Sequence, residues 1–386
     1  MGKRELLLVT VFVIFGVLAW QLNAPASDPN RRQWSVGGII ENIRREVRGN
    51  QSRTQVASTH TIPSPATVKE IRIANFPTDV TIVGEDRADV EYELNVESRG
   101  YDDAEAKRTA EATKVLVDQA GELLTLTLEY PREGRQTAKL AIKVPKRLAL
   151  RVDEKGGRLQ ASHLAAITIG GGRGETILSD VAGQVQASQR GSAITIANVG
   201  SLRLTTINTG EVKISGVRGD SILNFTGGEI RADNLEGTIE VESRNADMKF
   251  DNLAKARAPI RINATGGEIV LNGVQVETRI DARRAEVRVD QPTAAPLSVY
   301  GDGETIEVTL PSSGFTIDAM ATAGRLDVDK ALESAGLQVT HTGGSSGGND
   351  STPKESRASG SIKGGGPTIT LRTTRGEIVL RSRNSG

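Results

Sequence analysis

Through the middle of the chain, hydrophobic and polar positions recur at intervals of about 18 residues. The segment Gly210-Glu211-Val212-Lys213-Ile214-Ser215-Gly216-Val217 serves as the template: apolar residues fall two, four and seven places after its first position. Equivalent first positions are Gly157, Gly174, Ser192, Gly210, Gly228, Ala246, Gly267, Ala285, Glu304 and Gly324, at steps of 17 to 21 residues. The apolar pairs they introduce include Ile194/Ile196, Val212/Ile214, Ile269/Leu271, Ile306/Val308 and Leu326/Val328. An eleventh copy, Gly376-Glu377-Ile378-Val379-Leu380, follows a long interruption. Self-similarity at a fixed period is the signature of stacked repeats.

Inside each unit the period is two rather than 3.6, so each unit is extended chain with one buried face. A second apolar pair follows in the same unit, as in Val185/Ala187, Ile239/Val241, Thr278/Ile280 and Phe315/Ile317. In the longest step, Lys255-Ala256-Arg257-Ala258-Pro259 delays that pair to Ile260/Ile262, so insertions fall in turns and the strands keep register. Two short strands cannot bury their own apolar faces, but stacked units can, at about 4.8 Å per rung. Ten rungs would span on the order of 45 Å. The expectation is an all-β, two-sheet β-solenoid over residues 154–342, with right-handed connections on the general rule for parallel crossovers.

Both flanks depart from the repeat. Val68–Phe76, Asp79–Gly84 and Asp89–Ser98 read as strands, as do Glu122–Tyr130, Thr137–Val144 and Arg147–Asp153. Between these sets, residues 104–118 are rich in Ala, Glu, Lys and Arg and predict a helix, with Asp102 or Asp103 as N-cap. A first rung exposes an unpaired edge, so region 57–153 is expected to be an N-terminal β cap carrying this helix. Residues 343–366 are Gly/Ser-rich and predict a flexible loop, and 367–386 a closing strand.

Behind Lys3 and Arg4, residues 6–22 are almost wholly apolar, the lower length limit for a bilayer-spanning helix. They are expected to form a transmembrane signal anchor with residues 1–5 in the cytoplasm; cleavage of a signal peptide after Ala26 is the competing reading. Residues 23–56 form a polar spacer with one amphipathic segment, where Val36, Ile39, Ile40, Ile43 and Val47 share a helical face. That face could lie on a membrane or pack against the solenoid. The expected location is the bacterial inner membrane, single-pass, with the body in the periplasm or extracellular space.

Composition narrows the chemistry. Lys+Arg and Asp+Glu are both 48, so nothing favours nucleic acid as a partner. The chain has no cysteine, which removes disulfides and thiolate ligands. Aromatics make up only 3% of the residues and there are 42 glycines, as a thin interior with many tight turns would require. The three histidines, His60 in the spacer region, His163 beside a turn and His341 by the loop, share no metal-ligand spacing. No nucleophile elbow, zinc-protease or phosphate-loop sequence occurs, so neither catalytic residues nor cofactors are expected.

One ordered polar feature stands out. The position after each unit's start is acidic on five successive units: Glu211, Glu229, Asp247, Glu268 and Glu286. Two residues on, the same face carries Lys213, Arg231, Lys249 and Arg288, with Val270 as the gap. This is either a solvated, self-neutralising face or a ligand strip for a glycan or cation.

The chain also resembles a bacterial putative-adhesin domain family of unknown function. The resemblance covers roughly 60–386. It rests on Val144-Pro145 followed by Leu148, Leu150 and Val152, on the Gly-x-Ile/Val-x-Val repeats, and on the stretch from Gly364 to Ile378. It implies a β-solenoid on the cell envelope and carries over no catalytic residue. The resulting expectation is a non-catalytic, membrane-anchored envelope protein acting as a binding surface or scaffold, with envelope glycans or envelope proteins as partners. A polysaccharide-acting enzyme and a sensory ectodomain working through a partner are the alternatives.

Overall fold

The computed structural model describes residues 12, 13, 16, 52–63, 66–131, 135–153, 156–257, 259–343 and 354–383. The apolar stretch 6–22 lies outside them apart from Phe12, Val13 and Gly16, which are helical, and so does the amphipathic segment of 36–47. Among the described residues no helix is long and apolar enough to cross a membrane. The chain divides into two compact units, the first comprising 1–58, 95–114 and 129–138, the second 59–94, 115–128 and 139–386.

The first unit contains the helix, Asp103–Ala112. The Asp102 side chain accepts from the Glu105 amide at 2.7 Å and caps it. The expected helix over 104–118 is therefore corrected at its end: Thr113 is extended, and Lys114–Ala120 is a strand. Val115 and Val117 are β-branched and oppose helix continuation, a local preference that outweighed the Ala/Glu/Lys composition before them. The spacer expectation for 23–56 is corrected likewise, because a strand runs through Ser52–Pro63. Its Ser, Thr and Gln residues are half-buried or exposed on both faces, so no apolar alternation marks it.

The second unit is a stack of two-strand rungs that forms two parallel ladders. In the first ladder, Thr176–Val181, Ile194–Val199, Glu211–Val217, Glu229–Leu235 and Asp247–Asp251 pair in chain order. The series continues through Glu268–Asn272, Glu286–Asp290 and Ile306–Leu310. In the second ladder, Leu202–Ile207 pairs with Ser221–Thr226, which leads through Ile239–Arg244, Ile260–Thr265 and Thr278–Arg283 to Leu297–Asp302. The two apolar pairs of each repeat supply the interior: Val212, Ile230, Val241, Ile269 and Ile280 are fully buried. Ile262, which follows the longest insertion, still pairs with Val241 and Ile280, so the extra residues are absorbed outside the ladders.

Each rung bends where single residues take the left-handed conformation. At one corner these include Asn198, Asn234 and Asn252, with φ of 54–55°. At the other, Asn208 and Asn245 alternate with Gly227 and Gly266. Asparagine and glycine tolerate positive φ, so their abundance is a requirement of the corners. His163 belongs to this series with φ 58°, which gives a structural reason for a histidine beside the first turn.

At both ends, spatial order departs from chain order. Glu70–Ala74 lies between Leu123–Glu129 and Ala149–Val152, and Asp79–Glu85 lies between Arg135–Pro145 and Leu159–Ser162. Much of the region expected as a separate cap is therefore built from rungs of the same two ladders. At the other end, Thr368–Thr374 is inserted between Leu297–Asp302 and Phe315–Thr322. Glu377–Ser382 is inserted in the same way between Ile306–Leu310 and Arg325–Val328. The segment expected as a closing strand thus forms an internal rung, because Ile369, Leu371, Ile378 and Leu380 are apolar on the inward positions and become fully buried. Within the expected loop 343–366, Glu355–Ile362 is a strand antiparallel to Phe315–Thr322 and to Gln338–Thr342. Small Ser and Ala residues line its buried face, with Ile362 at its end, which hid its period of two. A short helix, Lys330–Ser334, capped by Asp329, adds to the single helix anticipated beyond the apolar N-terminal run.

Candidate functional site

The sequence-predicted strip is assembled as a continuous surface of the first ladder. Glu211 pairs with Glu229 and Glu229 with Asp247 across rungs, while Lys213, Arg231 and Lys249 line up beside them. Val270 lies between Lys249 and Arg288, and Glu268 stands beside Glu286. Parallel in-register stacking makes this unavoidable, since identical offsets in each repeat land on the same column.

The strip's cations are already engaged. Lys213 Nζ is 2.8 Å from Glu211 Oε2, and Arg231 Nε donates to Glu229 Oε1 at 2.8 Å. Lys249 turns to Asp251 at 3.3 Å rather than to Asp247, whose Oδ1 accepts the Glu268 amide at 3.1 Å. Arg288 bridges rungs, 2.6 Å from both Glu268 and Glu286 and 3.7 Å from Glu307. The Glu229 hydrogen bond raises the Arg231 guanidinium above its ordinary value, and the charges of Glu286 and Glu268 do the same for Arg288. These side chains are well exposed, so solvent screens the pairs and they add little to stability. Chemically the strip is a field of short-range pairs in which, among the described residues, the Asp247 carboxylate has no cation beside it.

The second ladder presents a different surface. An open groove of about 650 Å³ runs over it, with Thr205, Asn224, Glu242, Asn263 and Asp281 in its lining. These five form one column, each paired with the next across successive rungs. Tyr300 and then Arg372 extend the column beyond Asp281. A neighbouring column carries Thr226, Arg244, Thr265 and Arg283. Sequence reasoning passed over the groove column because its residue types change from rung to rung. The signal was present: each member stands one place after the second apolar pair, as Glu242 follows Val241 and Asp281 follows Ile280.

The three histidines have separate surroundings. His60 stacks on the Tyr92 ring with centroids 5.1 Å apart, His163 Nε2 is 4.0 Å from Asp180, and His341 Nδ1 is 3.0 Å from Ser356 Oγ. Among the described residues no group of three or more His, Asp or Glu side chains is placed to hold a metal ion.

Comparison with known proteins places this geometry. No curated protein matches the chain. Among solved structures, a putative cell adhesion protein from Clostridium sporogenes is 10% identical, with a TM-score of 0.19, over 86% of this chain and 100% of that one. A putative adhesin from Parabacteroides merdae is 12% identical, with a TM-score of 0.34, over 64% of this chain and 93% of that one. A putative lipid binding protein from Parabacteroides distasonis is 14% identical, with a TM-score of 0.29, over 64% and 94%. Likeness at that level says nothing about ligand or role. The family model described as Toastrack DUF4097 matches residues 68–294, more than half of the chain and most of the two ladders. The chain, with its repeats of about 18 residues stacked in two parallel ladders, therefore belongs to the Toastrack DUF4097 family.

Proposed function

We propose that this chain is a non-catalytic binding protein or scaffold of the bacterial cell envelope, held in the inner membrane by residues 6–22 with its body outside the cytoplasm. The observation that carries this reading is the repetition of outward side-chain columns along both ladders. From Ile194 to Leu310 the connections between strands are short, the longest being 252–259. Such turns build long exposed faces and leave little chain with which to wall a deep cleft. Long faces of repeated side chains suit contact with an extended partner, be it an envelope glycan or another envelope protein. For the anchor, the support is the apolar run behind Lys3 and Arg4.

The test uses the full chain in bacterial cells. After high-salt and alkaline washing, the protein is expected in the membrane fraction, and in-cell cross-linking should capture envelope components. Mature protein beginning at Ser27 would replace the anchor with a cleaved signal. Release of soluble sugar from isolated envelopes by the purified chain would replace the binding role with a catalytic one.

A further inference from the structure

The groove on the second ladder differs from the charged strip in one decisive respect. Among the described residues, the side chains of Asn224, Glu242, Asn263, Arg244 and Arg283 have no hydrogen-bond or ion-pair partner. Asp281 is held by Arg279 at 3.0 Å. On the strip, by contrast, each of the four cations has a carboxylate neighbour. Polar groups with unmet capacity are thus gathered along one groove while the more conspicuous charges are spent on each other.

The chemistry of the lining selects a class of ligand. Within the lining Glu242 and Asp281 are matched by Arg244 and Arg283, and Arg279, which pairs with Asp281 from beside it, leaves the site a single excess positive charge, too little to make a polyanion its natural ligand. Amides, carboxylates, hydroxyls and guanidinium groups alternate, so donors and acceptors are offered together. Hydroxyl arrays, which both give and accept hydrogen bonds, match such a surface. A peptide strand does not, because the groove lies over the middle of a ladder whose backbone groups are already paired, and strand addition needs a free edge. The column from Thr205 to Asp281 spans four rung steps, about 19 Å at about 4.8 Å per step, which suits an extended chain better than a compact metabolite. At its end Tyr300 is 40% exposed, with the Arg279 guanidinium 5.3 Å from the ring centroid. That guanidinium lies over one face of the ring, so the C–H side of a sugar ring would stack on Tyr300 from the opposite face or by displacing Arg279.

We propose that this groove is a binding site for an extended, uncharged polysaccharide, with Asn224, Glu242, Asn263 and Asp281 bonding sugar hydroxyls and Tyr300 stacking a ring. This rests on the reading of the chain as a binding protein and names what one of its faces takes.

The experiment uses the full chain purified in detergent. Retention is measured on immobilised neutral polysaccharides (β-glucan, mannan and xylan) and on the polyanions heparin and polygalacturonate. Retention on at least one neutral polymer is expected, and it should persist in about 1 M salt, where charges are screened within about 3 Å. The double variant Asn224→Ala/Asn263→Ala should weaken it at least about tenfold, as should Tyr300→Ala; all three positions are at the surface, and thermal melting confirms that the variants are folded. Retention only on the polyanions, and lost in salt, would overturn the inference. So would neutral binding that survives the groove variants. If no neutral polymer is retained while cells still cross-link the chain to envelope components, the groove inference fails alone. If cross-linking also captures nothing, the binding reading fails with it.

Discussion

The middle of the stack and its C-terminal end solve the same problem in different ways. From Ile194 to Asp290 each rung pairs with the rungs before and after it in sequence, ordered by apolar repetition with cross-rung polar contacts such as Asn272 to Asp251 and Arg288 to Glu268 beside it. Beyond Leu310 polar clamps join strands that are not consecutive in the chain. Asp318 receives Arg372 from the inserted strand and Arg357, at 3.1 Å, from the antiparallel one. Asp329 caps the short helix through the Ala331 amide at 3.1 Å and also accepts the Ser382 amide at 3.2 Å. Repetition specifies that rungs stack but not which rung is next, since every rung offers a similar face. Where neighbours are not consecutive, individual side chains have to supply the address.

The largest test of this contrast is a buried charge. Ile214→Asp in the middle and Ile369→Asp in the inserted strand should each destabilise by on the order of 3–5 kcal/mol, both sites being buried. The difference should appear in hydrogen exchange. Ile214→Asp should lower protection in rungs on both sides of it, whereas Ile369→Asp should expose 315–342 and 355–382 and leave 194–290 protected. Equal loss of protection everywhere in both variants would make the stack a single cooperative block.

A smaller effect is expected at Asp318. Burial pushes its carboxyl up, but the Arg372 hydrogen bond and charge outweigh that, with Arg357 adding to them, so it titrates below its ordinary 3.8. A depressed carboxyl contributes stability that is present above the unfolded value and lost as pH falls through the folded one. The end should therefore loosen selectively as the pH drops below about 3.8, and Asp318→Asn should remove about 1–3 kcal/mol near neutral pH. Exchange rates of the 315–322 amides across that pH range provide the measurement. An acid response no different in Asp318→Asn would show that another group holds the end.

The smallest effect belongs to the strip. Replacing Glu211, Glu229, Asp247, Glu268 and Glu286 with Gln should shift the melting temperature little, because the pairs are exposed. The freed Lys213, Arg231 and Arg288, beside a Lys249 still held by Asp251, should instead give salt-sensitive retention on heparin. A large drop in melting temperature would mean that the strip is structural after all.

Much of the fold could be read from the chain because apolar burial, its main driving force, is laid out periodically. Val212/Ile214 and their equivalents fixed strand, face and register together, and the strip followed because equal offsets share a column. Several features escaped. The strand at Lys114–Ala120 was masked by helix-forming neighbours, and the one at Glu355–Ile362 by small polar residues. The neighbour order at both ends was invisible because Gly324 and Gly376 begin almost interchangeable units, and only contacts such as Asp318 with Arg372 distinguish their places. The groove was missed for the opposite reason: Thr205, Asn224, Glu242 and Asn263 share a position but no chemistry that a repeat search would count.

The inserted rung also sets a timetable. A chain made from its N-terminus can stack 176–310 as it emerges, each rung finding its neighbour already in place. Residues 315–328 then arrive before 368–382, the segments that must separate them from 297–310. For that interval the waiting rung faces a partner of matching pattern, and pairing with it directly would be an off-route state that has to be undone. Completion of the stack is thus a late event, tied to the delivery of 368–382 rather than to the growth of the rungs before it.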